Sequence, residues 1–245
     1  MVKIAVMSGK GGVGKSSVSI MLSVALSEMG KTLLLDFDLC GPSVVCGLGV
    51  RGIVRKASKG FVPVQVTDNL YVLSMGLMMN DTDTVIWRGP KKMHMLSMLY
   101  DSIDEFENVV IDMPPGLSEE HGFLRSKDIW ALIVTTPQEV SLHDCSRAID
   151  FCMQNDICIL GLVENMSGYR CECCGAITNI FGSKGGQRLA ESIGIPFLCT
   201  LEIDPILCKA LDDGVFANTN RSLGSYVKFR DTITKVIDHV IDKMI

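Results

Sequence analysis

One glycine-rich stretch near the N-terminus, Gly9-Lys10-Gly11-Gly12-Val13-Gly14-Lys15-Ser16, limits what this chain can fold into because of what flanks it. The apolar run Lys3 to Met7 before it has the length of a short buried strand. After it, Val18, Met21, Leu22, Ala25, Leu26 and Met29 recur at helical spacing, with Gly30 placed as a C-terminal stop. Strand, glycine loop and helix in that order gather backbone N–H groups at a helix N-terminus, where the helix dipole favours an anion. Gly11, Gly12 and Gly14 are expected to take positive φ and turn those N–H groups inward as a nest for phosphate oxygens. The stretch fits G-x-x-x-x-G-K-[ST], in which Lys15 reaches the β- and γ-phosphates and the Ser16 hydroxyl ligates Mg²⁺.

Further β-type runs follow at Thr32 to Leu35, Leu70 to Ser74, Asn108 to Ile111, Ile129 to Val134, Cys158 to Val163 and Pro196 to Leu201. Helical stretches at Lys91 to Tyr100, Leu142 to Gln154 and Gly185 to Ile193 separate them. Near-continuous apolar strands alternating with helices predict an α/β fold of three layers, a mostly parallel central sheet flanked by helices. A nucleotide then belongs at the carboxyl ends of the strands. With 245 residues, 47% of them hydrophobic, and no internal repeat, low-complexity tract or linker, residues 1–245 are expected to form a single domain.

A net charge of −5 argues against a broad nucleic-acid surface. No apolar stretch approaches the roughly 18 residues of a membrane span, and no secretory signal precedes the first strand. The expectation is a soluble cytoplasmic protein with neither nucleic acid nor membrane as partner. The last helix, from about Tyr226 to Ile245, sets Ile233, Val236, Ile237, Val240, Ile241 and Met244 on one face. Because Asp231, Asp238 and Asp242 offset its lysines and arginine, that face is expected to pack on the sheet rather than on a lipid surface.

Two carboxylates, Asp36 and Asp38, stand at the end of the second strand, and Asp112 ends the run Asn108 to Ile111. Acidic groups at strand ends beside a phosphate loop point to metal and water handling. Asn165 closes the run Cys158 to Val163 and, on residue type alone, also suits a helix N-cap.

The chain has ten cysteines, a high count where disulfides are not expected. Cys40, Cys46, Cys145, Cys152, Cys158, Cys199 and Cys208 are dispersed and are expected to act as small buried hydrophobes. Cys171 and Cys174 instead form C-x-x-C on a glycine-flanked loop, with Cys173 between them. Structural zinc and four-iron clusters each usually take four protein ligands, and the chain has no second C-x-x-C. Two ligands per chain imply two chains.

Lys10 stands where the phosphate-loop pattern leaves a free choice. The spacing Lys-Gly-Gly-x-Gly-Lys-Ser resembles the deviant Walker A signature shared by MinD, ParA, the arsenite and tail-anchor ATPases, the nitrogenase iron protein and the Mrp/ApbC scaffold proteins. Taken with Trp87-Arg88-Gly89-Pro90, Asp112-Met113-Pro114-Pro115-Gly116 and Asn165-Met166-Ser167-x-Tyr169-x-Cys171-x-x-Cys174, the chain resembles the Mrp/ApbC/nucleotide-binding-protein (NUBP) family along nearly its whole length.

The resemblance implies an ATPase, slow and partner-dependent, that holds ATP on Gly9, Lys10, Gly11, Gly12, Val13, Gly14, Lys15, Ser16 and Ser17. In it Asp36 holds the Mg²⁺ shell with Ser16, Asp38 orients or activates the attacking water, Asp112 reaches Mg²⁺, and Asn165 contacts adenine. It assigns catalytic roles to Lys10, Lys15 and Asp38, Lys10 by contacting the nucleotide of the opposite subunit. It further implies a [4Fe-4S] cluster bridged by Cys171 and Cys174 of each subunit and passed to cytosolic and nuclear apoproteins. The implied partners are a second copy, a long-form NUBP-type scaffold subunit, apoprotein clients and cluster-targeting factors. Because the chain starts on its first strand, it resembles the short cytosolic branch.

Two departures stand out: Leu117-Ser118-Glu119 follows Gly116 where the family usually has Thr-Gly-Asp, and Glu202 occupies a usual proline before Ile203 and Asp204. Other readings stay open. A tail-anchor or arsenite ATPase would hold zinc at C-x-x-C and use Met75, Met78, Met79, Met93, Met95 and Met98 as a client surface, although these methionines also suit an ordinary core. A MinD- or ParA-like positioning ATPase shares the loop.

Overall fold

The computed structural model describes residues 1–39, 41, 43–52, 54–57, 60–78, 89–125, 127–219 and 224–244, with the side chains of 219 and 242–244 left aside. Cys40, Met79, Trp87 and Arg88 lie outside the described residues.

The chain opens with strand β1 (Val2–Met7), helix α1 (Lys15–Ser27), β2 (Thr32–Asp36) and the short α2 (Val44–Leu48). Short strands β3 (Arg55–Lys56), β4 (Phe61–Val62) and β5 (Val64–Gln65) lead to β6 (Leu70–Leu73) and α3 (Gly89–Tyr100). Then come β7 (Asn108–Asp112), β8 (Trp130–Thr135), α4 (Glu139–Gln154), β9 (Ile159–Glu164), the hairpin strands β10 (Tyr169–Arg170) and β11 (Ile177–Thr178), and α5 (Gly185–Ile193). β12 (Phe197–Thr200), α6 (Pro205–Asp212), α7 (Phe216–Thr219) and α8 (Gly224–Met244) complete it.

Eight strands form one sheet in the order β12-β9-β8-β1-β7-β2-β6-β5, every neighbouring pair parallel except β5 with β6. Helices cover both faces, as near-continuous apolar strands require. In β1, Ile4 and Val6 join the core formed with α1 and α8, while Ala5 and Met7 join the core formed with α3, α4 and α5. One six-residue strand thus feeds two cores because successive side chains point to opposite faces.

The expected helix faces are buried except at Met29, which is exposed because α1 ends at Ser27 and leaves it beyond the packed stripe, while Val18, Met21, Leu22, Ala25 and Leu26 are buried. Tyr226, Phe229, Ile233, Ile237 and Val240 of α8 lie in the core, with Val236 and Ile241 packed against it. Met75 is buried, and Met78, Met93 and Met95 pack against the second core, so these four serve packing. α4 starts at Glu139, three residues before the expected Leu142, with Glu139 and Val140 exposed ahead of the buried stripe. Gly30 is not a left-handed cap: α1 ends at Ser27, and a side chain at 30 would come 2.8 Å from the Glu107 carboxylate, so the glycine serves close packing.

The cysteine expectation is corrected in part. Cys145, Cys152 and Cys199 are buried, and burial pushes the thiols of Cys145 and Cys152 up to about 12. Cys46, Cys158 and Cys208 are exposed, because each falls on the outer side of a helix or, for Cys158, just before β9 begins. Among the described residues, no helix is long and apolar enough to cross a membrane.

Candidate nucleotide and thiol site

The loop between β1 and α1 turns through two left-handed glycines, Gly12 at φ 78° and Gly14 at φ 84°. Gly11 does not take positive φ, contrary to expectation; two left-handed residues already redirect the chain into α1. Gly9 is required for another reason. A Cβ there would sit 2.1 Å from the Asp144 carbonyl, so the base of the loop lies directly on the backbone of α4. Ser8 Oγ donates to the Lys10 carbonyl at 3.0 Å, and the Gly116 N–H donates to the Ser8 carbonyl at 3.1 Å. The Pro114-Pro115-Gly116 segment is thereby stitched to the loop.

Asp112, at the end of β7, is fully buried and gathers three donors. Lys15 Nζ lies 2.8 Å from Oδ1, Ser16 Oγ donates to Oδ2 at 2.7 Å, and Ser19 Oγ donates to Oδ1 at 2.6 Å. Asp36 is its register partner on β2 and is also fully buried. Burial above all, then the Asp112 charge, holds the Asp36 carboxyl well above its ordinary value; Ser74, donating at 2.8 Å, and Lys15 pull the other way. Asp38 is half-exposed and accepts from the Gly41 N–H at 3.1 Å.

Lys15, Ser16 and Asp38 face a cleft of about 680 Å³ lined also by Lys10, Gly12 and Pro115 among others, with Asp36 and Asp112 buried behind it. A second cleft of about 420 Å³, mostly apolar, shares Gly14, Ser17, Leu211 and Asp212 with the first and is closed by Asn165, Phe181, Glu202 and Ile203. A polar trough joined to an apolar slot matches a ligand with an anionic end and a flat, weakly polar end. No helix starts at Asn165. Its Nδ2 instead donates to the Val13 carbonyl at 2.9 Å, fastening the end of β9 to the phosphate loop.

Past Asn165 the chain forms the β10–β11 hairpin. Cys171 and Gly175 close its turn, with Cys171 N–H donating to the Ala176 carbonyl at 2.9 Å and Gly175 N–H to the Cys171 carbonyl at 2.8 Å. Cys173 and Cys174 are exposed and Cys171 half-exposed. The N–H groups of Cys174 and Cys173, aimed at the Cys171 sulfur, hold its thiol below the ordinary value. A thiol so placed is readied as a thiolate ligand. Ile177, paired with Arg170 on the hairpin, and Ile180 beyond it are 52% and 56% exposed. Among the described residues, no three His, Cys, Asp or Glu side chains assemble into a metal cage, so Cys171 and Cys174 stand as a pair.

The family model described as ParA, NUBPL iron-transfer P-loop NTPase, matches residues 1–241. The chain belongs to this family. Among curated relatives of this NUBPL-type chain, the cytosolic Fe-S cluster assembly factor Nubp2 homolog 2 of Drosophila yakuba is 45% identical over 253 residues, covering 98% of this chain and 95% of the relative. The cytosolic Fe-S cluster assembly factor NUBP2 homolog of Dictyostelium discoideum is 46% identical over 225 residues, covering 87% and 85%. A nucleotide-binding protein of Archaeoglobus fulgidus, solved in complex with ADP and with cobalt found, superposes with a TM-score of 0.78 at 30% identity, covering 93% of this chain and 91% of that one. The cell-division ATPase MinD of Pyrococcus furiosus gives 0.71 at 25% identity, covering 96% and 100%.

Three groups at the site escape sequence reasoning. Ser19 lies one helical turn beyond Lys15, a spacing that puts both on one face and is its only local signal. Ser74 is visible merely as the residue after a strand. His121 is fully buried in the 3-10 helix Glu119–Leu124, its Nδ1 accepting from the Ser118 N–H at 3.2 Å, and burial lowers it to about 4.

Proposed function

We propose that this chain is an ATP-dependent scaffold and carrier for [4Fe-4S] clusters, assembled between two subunits and passed to cytosolic and nuclear apoproteins. One observation carries the proposal: the thiol pair and the phosphate loop belong to the same end of the sheet, joined through Asn165, which bonds Val13 on one side and leads into the Cys171 hairpin on the other. The names of the 45–46% identical relatives, cytosolic Fe-S cluster assembly factors, support it, as does the ADP and cobalt of the Archaeoglobus structure. Those relatives do not favour a zinc-bridged tail-anchor or arsenite ATPase, nor a positioning ATPase.

In this proposal the N–H groups of residues 9–17 cradle the phosphates, and Lys15 turns from Asp112 toward them. The donor set fits Mg²⁺: Ser16 Oγ and the two buried carboxylates are hard oxygen ligands, and the mutual repulsion of Asp36 and Asp112 is what a divalent cation relieves. When bound, the metal neutralises charge on the β- and γ-phosphates. Asp38, at the lip of the cleft, orients the attacking water. The apolar slot beside Asn165 takes the base. Lys10, lining the cleft mouth, reaches the nucleotide of a second subunit, and Cys171 and Cys174 from each subunit supply the four thiolates that a cubane cluster takes. Hydrolysis is slow until a second copy or a long-form subunit completes the site. Clients and targeting factors take up the cluster.

Anaerobic reconstitution followed by iron, sulfide and native-mass analysis tests the proposal. About four irons per dimer are expected, lost in Cys171→Ala and Cys174→Ala. Stoichiometric zinc with no iron uptake under the same conditions would overturn it.

A further inference from the structure

Arg170, next to Cys171, is the residue through which the thiol hairpin grips the rest of the fold. Its guanidinium pairs with Glu202 through two bonds, Nη2 to Oε1 at 2.9 Å and Nε to Oε2 at 3.2 Å, and Nη1 donates to the Gly175 carbonyl at 3.4 Å. One planar fork therefore holds a carboxylate on one side and the closing residue of the Cys171–Gly175 turn on the other. Glu202 is also a wall of the apolar slot beside the phosphate loop, together with Ile203 and Asn165. The backbones run together here as well: Ile203 N–H donates to the Gly168 carbonyl at 2.8 Å, and Tyr169 and Ile203 form a parallel bridge.

Both side chains are partly exposed, Arg170 at 54% and Glu202 at 36%, so the pair adds little to stability. Its geometry is what distinguishes it. A bidentate fork fixes the angle between its partners as well as their distance, which a lysine in the same place would not do.

We infer that the Arg170–Glu202 pair is the positioning element that couples the nucleotide slot to the Cys171 and Cys174 hairpin. A nucleoside settling against Glu202 and Ile203 shifts Glu202, the guanidinium follows, and the Cys171–Gly175 turn moves with it. This inference rests on the cluster-carrier reading above. It assigns a purpose to Glu202, whose two carboxylate oxygens meet the Arg170 guanidinium while the residue also lines the apolar slot. Coupling of this sort is reciprocal, so nucleotide changes how firmly the cluster is held by the factor with which the cluster changes nucleotide affinity.

The test uses the reconstituted full-length protein and measures the rate of iron loss to a ferrous chelator with and without Mg-ATP. The ratio of the two rates is the readout, because a merely structural defect changes both rates alike. A ratio of about five or more is expected for the natural chain at saturating Mg-ATP, falling to near one in Arg170→Lys and Glu202→Gln, while iron content stays within about twofold. The double variant Arg170→Glu with Glu202→Arg is expected to recover part of the ratio. An unchanged ratio in both single variants overturns the inference and leaves the carrier reading intact. Loss of iron content in Arg170→Lys also overturns it, since Arg170 would then hold the cluster site itself. Failure of the natural chain to bind iron removes the carrier reading along with it.

Discussion

Lys15 Nζ and Asp112 Oδ1 meet at 2.8 Å inside the protein, with side-chain exposures of 7% and 0%, although 97 residues separate them in sequence. The helix N-terminus and the end of β7 are brought together by the pairing of β1 with β7, in which Val6 stands opposite Asp112. A buried pair of this kind is costly to break from one side, since the surviving charge has no solvent.

Lys15→Met is therefore expected to abolish Mg-ATP binding in calorimetry and to lower stability by about 3 kcal/mol in urea denaturation. Adding Asp112→Asn to it should return most of the stability, since Ser16 and Ser19 can still bond the amide, without returning nucleotide binding. Full stability in Lys15→Met alone would sink this account of the pair.

The loop glycines are not equivalent. A Cβ at Gly9 meets Asp144 backbone at 2.1 Å, one at Gly14 meets the Asn165 amide at 2.2 Å with φ at 84°, and one at Gly12 meets open space with φ at 78°. Alanine at 12 is expected to lower stability by about 1 kcal/mol, the strain of a left-handed residue. Alanine at 14 should lower it further and displace Asn165, and alanine at 9 should be the most damaging, because backbone cannot rotate away. Thermal melts of the three variants check the order.

His121 ties stability to pH. Its folded value of about 4 lies below the ordinary 6.5, so between those values the unfolded chain binds the proton that the folded chain refuses. The contribution is complete above pH 6.5 and is lost as pH falls toward 4, with an upper bound of about 3 kcal/mol. His121→Gln keeps an acceptor for the Ser118 N–H but has nothing to titrate. Urea midpoints at pH 7.5 and 5 should separate more for the natural chain than for this variant; equal separations would exclude His121 as the cause.

Lys10 lines the cleft mouth, and in the described residues its ammonium is paired with no carboxylate. If it serves a second subunit, Lys10→Ala should keep Mg-ATP affinity within a fewfold yet fail to dimerise on a non-hydrolysable ATP analogue, as read by light scattering. A variant that still dimerises with the analogue contradicts the assigned role.

Much of this architecture is legible in local pattern. The strand ends at Asp36, Asp112 and Asn165, the phosphate loop and the C-x-x-C turn are each readable within a few residues, because backbone periodicity and glycine conformations are local properties. Burial of the dispersed cysteines was not readable in this way: Cys145 and Cys158 are the same residue type near apolar runs, yet only the first faces the core.

By itself, then, the sequence determined that this chain alternates strands and helices, ends three of its strands in polar groups and carries a phosphate loop and a thiol pair. Tertiary structure alone decided that Asp36 and Asp112 stand side by side with Lys15 against them, that Asn165 bonds Val13, and that Arg170 joins Glu202 across 32 residues. The physical reason is that strand order and register, set by which apolar faces can be buried together, choose the distant neighbours of every polar group, and no spacing along the chain encodes them.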